Sequence, residues 1–173
     1  MDLVAITETR LGDNDAVTMG NLCPPGFKYF SQPLSNGKGG GVAVIYKSNL
    51  KIKKLSQTSF SSFEHLQILI QLPDTLGLSL TVVYRPPPSK KNGFTVQQFL
   101  EEISNFLDEW ILDKNRLLLV GDFNFHVNDK DDPAATSFLK LMDSYGLMQH
   151  LTSSSHNKGH TLDLLTRIGD SLL

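Results

Sequence analysis

The sequence has little cysteine, no long apolar run and no excess of basic charge. Its one cysteine, Cys23, excludes an internal disulfide framework and fits a reducing compartment. No apolar run approaches the roughly 20 residues that a membrane-spanning helix needs. The short apolar run at residues 3–6 follows no basic leader, so it predicts a strand rather than a signal peptide. These absences favour an intracellular protein without a membrane anchor.

The charge balance excludes a general electrostatic attraction to nucleic acid. The 16 Lys and Arg residues are balanced by 18 Asp and Glu residues, which gives a net charge of -2. Binding to DNA or RNA would therefore need a local basic patch. Hydrophobic residues make up 40% and charged residues 20% of the chain, a composition typical of a folded domain. We therefore expect one domain over residues 1–173.

The most informative stretch is residues 116–126, RLLLVGDFNFH. An apolar run that ends at Gly121 is typical of a strand buried on both faces, and the glycine allows a sharp turn or the close approach of a ligand. Asp122 and Asn124 are two residues apart, so an extended chain would point both side chains in one direction. They would place a carboxylate and an amide at the edge of a sheet. The same residues fit an ordinary strand followed by an Asp/Asn turn, so residues elsewhere must decide.

Hydrophobic periodicity predicts both strands and helices in the chain. Apolar or alternating segments predict strands at residues 2–6, 27–30, 42–46, 63–72, 78–84, 117–120, 147–151 and 161–165. The strands at residues 27–30 and 42–46 are expected to form one hairpin, and those at residues 63–72 and 78–84 a second. Helical spacing predicts helices at residues 95–112 and 133–145, with Thr95 as the N-cap of the first and Trp110 in the core. This order of elements predicts an α/β (α+β) fold.

Polar side chains recur at the ends of the predicted strands. Glu8 follows the first strand, and Tyr84 and Arg85 end a strand that three prolines stop, so both side chains are expected to face a cleft. A carboxylate suits Mg²⁺, which binds one or two of them together with phosphate oxygens and water. Asp163 lies inside an apolar strand and needs a partner, because an unpaired buried carboxylate is costly. A metal ligand, a base beside an amide and a hydroxyl donor together suit phosphodiester hydrolysis.

Four sequence blocks carry a resemblance to a known superfamily. The blocks are Ile-Thr-Glu8-Thr, Val-Val-Tyr84-Arg-Pro-Pro, Leu-Leu-Val-Gly-Asp122-Phe-Asn124 and the HNKGHTLDL segment that contains Asp163. In this order they resemble the endonuclease/exonuclease/phosphatase superfamily and, more narrowly, the apurinic-type endonuclease domain of LINE-like (non-LTR) retrotransposons. The resemblance implies a four-layer α/β/β/α sandwich, with two mixed sheets face to face and helices outside.

The resemblance also implies a role for each residue in these blocks. Glu8 would ligate Mg²⁺ or Mn²⁺, and Tyr84 would contact the scissile phosphate. Asp122 would act as general base or would orient the nucleophile, Asn124 would help to hold the water and the phosphate, and Asp163 would orient or pair with a catalytic histidine. Further substrate contacts are expected from the basic side chains of Arg85, His126 and His160. The implied reaction nicks one DNA strand and leaves a 3′-hydroxyl for a reverse transcriptase domain in a longer parent chain.

Two features of the family have no counterpart in residues 1–173. In the family, a strand with a metal-site asparagine precedes the Glu8 strand, and a terminal strand supplies the catalytic histidine. We therefore expect an incomplete sandwich and reduced activity. The domain is expected to contact the phosphate backbone of DNA, in the nucleus if genomic DNA is the substrate. Two alternatives remain open: a non-catalytic retroelement remnant, and a phosphomonoesterase of the same superfamily.

Overall fold

The computed structural model shows an α/β protein with nine strands and three helices in its described residues. These residues are 1–12, 16–33, 40–56, 58–73, 77–89, 92–110, 112, 116–150 and 163–168. The strands are β1 (Leu3–Thr7), β2 (Phe27–Gln32), β3 (Val42–Lys47), β4 (Ile52–Lys54), β5 (Glu64–Ile70), β6 (Leu78–Tyr84), β7 (Arg116–Asp122), β8 (Leu147–Gln149) and β9 (Asp163–Ile168). The helices are α1 (Ala16–Leu22), α2 (Val96–Trp110) and α3 (Pro133–Ser144).

Every predicted strand and helix has a counterpart, but α1 and β4 are not among the predictions. The short helix α1 contains Gly20 and, among its described side chains, buries only Met19, so its sequence has no clear apolar stripe. The strand β4 has three residues, two of them lysines, and alternation cannot be recognised over such a length. Tertiary pairing therefore fixes these two elements more than local sequence does.

The strands form two sheets that pack face to face. One sheet has the order β1-β3-β2 and is antiparallel in its described strands. The other has the order β4-β5-β6-β7-β9-β8 and is mixed, because β6 and β7 run parallel. Both expected hairpins are confirmed, since β2 pairs with β3 and β5 pairs with β6 in antiparallel register. The two-sheet α/β fold predicted from the sequence is confirmed.

The parallel pairing of β6 with β7 requires a crossover, and α2 provides it. Thr95 caps this helix as predicted, because its Oγ1 accepts a hydrogen bond from the Gln98 amide at 3.1 Å. The buried face of α2 consists of Phe99, Ile103, Phe106, Leu107 and Trp110, which confirms Trp110 as a core residue. None of the helices in the described residues is long and apolar enough to span a membrane.

Two hydrophobic cores lie on opposite faces of the six-stranded sheet. The core between the sheets contains side chains of β3, β5 and β6, including Val44, Leu66 and Val82. The core beneath α2 and α3 is rich in aromatic rings, among them Phe99 and Phe138. Successive residues of a strand face opposite sides, so neighbouring residues of β6 enter different cores. This alternation decides which way the residues at the end of β6 point.

His65 on β5 provides a pH test of the packing. Its ring is 6% exposed and lies 5.3–5.7 Å from the rings of Phe60, Phe63 and Phe106. Burial lowers the pKa of His65 from 6.5 to about 4, so the folded chain keeps this ring neutral. As the pH falls from about 6.5 to about 4, the unfolded state gains a proton that the folded state lacks, and stability is lost.

We therefore expect His65→Leu to reduce the acid destabilisation of the chain. Between pH 7 and pH 4, the free energy of unfolding should fall less in the variant than in the wild type, by up to about 3 kcal/mol. Urea unfolding at several pH values measures this difference. The control is His150→Gln at an exposed position, which should follow the wild type. Parallel pH profiles for His65→Leu and the wild type would contradict the assignment.

Candidate active site

Three strands end at one edge of the sandwich, and each is followed by a predicted site residue. Tyr84 and Asp122 are direct partners in the parallel register of β6 and β7. The strand β1 of the other sheet packs against both of these strands, and Glu8 follows its end. The Tyr84 hydroxyl donates a hydrogen bond to Oε1 of Glu8 at 2.6 Å. The structure thus brings Glu8, Tyr84, Asp122 and the following Asn124 to a common edge.

Tyr84 is held in its protonated form. Its side chain is 5% exposed, and burial is the largest cause that raises its pKa above the ordinary value. The hydrogen bond to Glu8 and the charges of Glu8, Asp122 and Glu64 raise the pKa further. A phenol that keeps its proton at neutral pH can donate a hydrogen bond to a negatively charged oxygen.

Asp122 and Asn124 form a tight turn as well as part of the site. The Asn124 amide N–H donates to Oδ1 of Asp122 at 2.9 Å, so the ordinary Asp/Asn turn is present. Asn124 has φ 50°, a left-handed conformation, so the extended chain that we expected through residue 124 is wrong. The turn orients the Asp122 carboxylate by occupying one of its oxygens with a backbone donor.

Gly121 is required by the neighbouring strand. It has φ +142°, and a Cβ atom added to it would lie 1.8 Å from the carbonyl oxygen of Val83. Any larger residue would push β7 away from β6 at the level of the site. The sequence predicts a glycine for a turn or for the approach of a ligand, whereas the structure shows the close approach of two strands.

The Glu8 segment is fixed by two glycines. The amides of Thr9 and Arg10 donate to the carbonyl oxygens of Gly41 and Gly40 at 3.1 and 2.7 Å. Cβ atoms at Gly40 and Gly41 would lie within 2.3 Å of neighbouring side-chain oxygens. Both glycines also have positive φ, a backbone conformation that favours glycine. Glu8 and Arg10 have φ 51° and 55°, and such strained residues cluster at functional sites.

Glu64 belongs to this edge, although sequence reasoning did not identify it. It is the register partner of Tyr84 in the antiparallel β5–β6 pair, and its Oε2 accepts a hydrogen bond from the Gly41 amide at 2.5 Å. Burial raises the pKa of Glu64, and the Gly41 hydrogen bond partly opposes this. The predicted hairpin register could have revealed Glu64, because it places residue 64 opposite Tyr84.

The position of Arg85 differs from the expectation that its side chain faces a cleft. The sequence predicts a side chain that is free to reach substrate, but Arg85 is 2% exposed. Its guanidinium carbon lies 5.1 Å from the ring centre of Phe99 and 4.1 Å from that of Phe125. Burial lowers its pKa to about 10, and the charges of Asp122 and Asp132 oppose this shift. A direct contact between Arg85 and substrate would require this packing to open.

The remaining predicted residues are described to different degrees. His126 is exposed and follows the Asp122–Phe125 segment in the chain. Asp163 begins β9, and its backbone pairs opposite Asp122 in antiparallel register. The side chain of Asp163 and all of His160 lie outside the described residues. The structure thus places the Asp163 backbone at the site edge and leaves its proposed role a prediction.

The donor set at this edge fits a metal that is shared with substrate. Within the described residues, no three His, Cys, Asp or Glu side chains are grouped so that they could hold a metal ion. Mg²⁺ needs only one or two carboxylates when phosphate oxygens and waters complete its shell. The side chain of Glu8 is 44% exposed and provides one such carboxylate, 3.7 Å from the Arg10 guanidinium. The described residues therefore fit a cation held by Glu8 and a bound phosphate, rather than by protein ligands alone.

Comparisons with known proteins bear on the family and the fold. The sequence profile of the Endonuclease/Exonuclease/phosphatase family matches residues 1–166. No curated protein sequence matches the chain significantly. The fold resembles the endonuclease domain of TRAS1, a telomere-specific non-LTR retrotransposon (TM-score 0.68, 14% identity, 98% of this chain and 74% of that chain). It also resembles AP endonuclease LMAP from Leishmania major (TM-score 0.72, 15% identity, 97% of this chain and 70% of that chain). A third similar structure is the human Nocturnin catalytic domain (TM-score 0.58, 14% identity, 97% of this chain and 69% of that chain). These identities show a common fold alone.

The contact between Glu8 and Tyr84 makes a prediction that does not depend on activity. Glu8→Gln keeps an acceptor for the Tyr84 hydroxyl but removes the negative charge, so Tyr84 should ionise at lower pH than in the wild type. NMR titration of ¹³Cζ-labelled tyrosine measures this, with Tyr84→Phe to assign the signal. Glu109→Gln on the exposed face of α2 is the control and should leave the titration unchanged. An unaltered Tyr84 titration in Glu8→Gln would show that the two side chains do not interact.

Proposed function

Because the chain belongs to the Endonuclease/Exonuclease/phosphatase family, we propose that it is a Mg²⁺-dependent DNA-nicking endonuclease of the non-LTR retrotransposon type. The observation on which this proposal mainly rests is the hydrogen bond between Glu8 and Tyr84, which joins the two sheets at the edge where Asp122 and Asn124 lie. A cation ligand, a protonated phenol and an acid–amide pair at one edge are the groups that phosphodiester hydrolysis uses.

In the proposed reaction, each residue of this edge has one role. Asp122 accepts a proton from a water molecule, whose oxygen forms a bond to phosphorus while the bond from phosphorus to the 3′ oxygen breaks. Asn124 positions the water and the phosphate. The single O–H of Tyr84, which donates to Glu8 in the structure, would turn to a phosphate oxygen that gains negative charge once the Glu8 carboxylate holds the cation. Glu8 would hold Mg²⁺ or Mn²⁺, which supplies Lewis-acid stabilisation when bound. The 3′ oxygen takes a proton from solvent as its bond to phosphorus breaks, which leaves a 5′-phosphate and a 3′-hydroxyl.

The proposed substrate is DNA bound through its phosphate backbone. The net charge of -2 makes long-range attraction weak, so affinity would depend on local contacts near the site and on salt concentration. The four sequence blocks resemble non-LTR retrotransposon endonucleases, and one structure with a similar fold is such a domain. These two observations support the retrotransposon branch over the phosphatases. A reverse transcriptase domain in a longer chain, acting in the nucleus, is the proposed partner that uses the 3′-hydroxyl.

The proposal predicts nicking of supercoiled plasmid in the presence of Mg²⁺. With the chain in excess, so that slow turnover is measurable, open-circular DNA should form and EDTA should prevent it. Glu8→Gln and Asp122→Asn should each reduce the rate by at least about 100-fold, because each removes a charge that stabilises the transition state or activates water. Glu109→Gln, exposed on α2, should nick at the wild-type rate. Extension of the nick by a DNA polymerase would identify the 3′-hydroxyl.

The same samples separate the alternatives. Release of inorganic phosphate from p-nitrophenyl phosphate, without nicking, would contradict the proposal and indicate a phosphomonoesterase. A wild-type chain without either activity, and with a Mg²⁺ affinity that Glu8→Ala leaves unchanged, would indicate a non-catalytic remnant. Nicking that is equally fast in Glu8→Gln would show that Glu8 holds no metal needed for the reaction.

A further inference from the structure

Arg85 is a buried cation whose side chain has defined acceptors. It follows β6, where alternation directs Tyr84 towards the other sheet and Arg85 towards the helices. There its guanidinium packs against the rings of Phe99 and Phe125, which also contact each other, and NH1 donates to the carbonyl oxygens of Phe123 and Asn124 at 3.0 and 3.2 Å. The cation is therefore directed at the backbone of the turn that contains the proposed catalytic pair.

The main chain of Arg85 binds the same turn. Its amide N–H donates to the Asp122 carbonyl oxygen at 2.9 Å, and its carbonyl oxygen accepts a hydrogen bond from Nδ2 of Asn124 at 2.7 Å. One residue thus makes four hydrogen bonds to three consecutive residues, 122–124. Asn124 has φ 50° in this turn, a conformation that needs support from surrounding structure.

We propose that Arg85 is a positioning residue: its guanidinium, packed against Phe99 and Phe125, holds the carbonyl groups of Phe123 and Asn124 and thereby fixes the side chains of Asp122 and Asn124 relative to Tyr84. The proposal concerns geometry and gives Arg85 no contact with substrate. It rests on the proposed function only for the kinetic consequence.

The burial of a charge at this position supports a positioning role over simple packing. Removing a guanidinium from water is unfavourable, and an apolar side chain could pack against the two phenyl rings without that cost. Methionine, however, would provide no donor to either carbonyl group. The two ring faces and the attraction of Asp122 and Asp132 compensate the buried charge and hold its donors in place. What the buried arginine adds over an apolar side chain is therefore the conformation of the turn at residues 122–124.

Hydrogen exchange of the Asn124 amide tests the geometric claim without any activity. This amide donates to Oδ1 of Asp122, so it is protected only while the turn keeps its conformation. Arg85→Met keeps a side chain packed against the rings and should lower the protection of Asn124 by at least tenfold. The amide of Thr136 in α3, which donates to the Asp132 carbonyl oxygen, reports global stability and should change much less. Equal protection of Asn124 in the variant and the wild type would overturn the proposal.

Kinetics test the functional consequence. Misplacement of a catalytic pair by about 1 Å can cost about 100-fold in rate, so Arg85→Met should lower kcat for nicking by about 10- to 100-fold. The KM for DNA should stay within about twofold of the wild-type value, because Arg85 makes no contact with substrate. Arg85→Lys keeps the charge and one donor and should recover part of kcat. Arg116→Met, an exposed arginine at the other end of β7, is the matched control. A raised KM with normal kcat would overturn the proposal, because it would show a substrate contact.

The two variants keep the test decisive if one of them folds poorly. Should Arg85→Met fail to fold, Arg85→Lys must show a reduced kcat and reduced Asn124 protection, and wild-type values for both would refute the positioning role. If the wild-type chain does not nick DNA, the proposed function fails while the exchange measurement still decides the role of Arg85. Reduced Asn124 protection with wild-type kcat would remove the link between the turn and catalysis.

Discussion

The parallel pairing of β6 with β7 is the constraint on which the site depends. It ends both strands at the same edge, so that Tyr84 and Asp122 face each other in register. Gly121 permits this pairing, because a Cβ atom there would collide with the Val83 carbonyl oxygen. The second sheet then adds Glu8 across the interface, where the buried Tyr84 hydroxyl binds it. The site is therefore a product of sheet register and of sheet-to-sheet packing, and neither alone would assemble it.

Two charged residues, the buried Arg85 and the partly buried Glu64, stabilise the strained backbone on either side of Tyr84. Glu64 binds the Gly41 amide, and the Gly40–Gly41 carbonyl groups bind the segment that follows Glu8. Arg85 binds the turn that contains Asn124. Left-handed residues other than glycine cost about 1–3 kcal/mol each, so such segments persist only where neighbouring groups hold them. Glu64 is the cross-strand partner of Tyr84, and Arg85 directly follows Tyr84 in the chain. The open end of the β5–β6 hairpin therefore supports both halves of the site.

The sequence predicted most elements because their patterns are local, and it predicted the convergence of Glu8, Tyr84 and Asp122 because strand ends meet at sheet edges. It could not predict the surroundings of Arg85 from the three following prolines alone. Those prolines suggest an exposed strand end, whereas Phe99 of α2 and Phe125 cover the side chain through contacts distant in sequence.

Glu64 was missed for a related reason: it has no motif of its own, and its importance follows from pairing with Tyr84. The left-handed Asn124 likewise depends on tertiary hydrogen bonds that no local pattern specifies.

The most direct test of the proposed site is a crystal structure of the chain with Mn²⁺ and a short DNA duplex, in which anomalous scattering locates the metal. We predict one Mn²⁺ on the Glu8 carboxylate, with a DNA phosphate within hydrogen-bonding distance of Tyr84 and beside Asp122 and Asn124. A metal bound away from Glu8, or a duplex whose phosphates lie remote from Tyr84 and Asp122, would contradict the assignment of this edge as a phosphodiesterase active site.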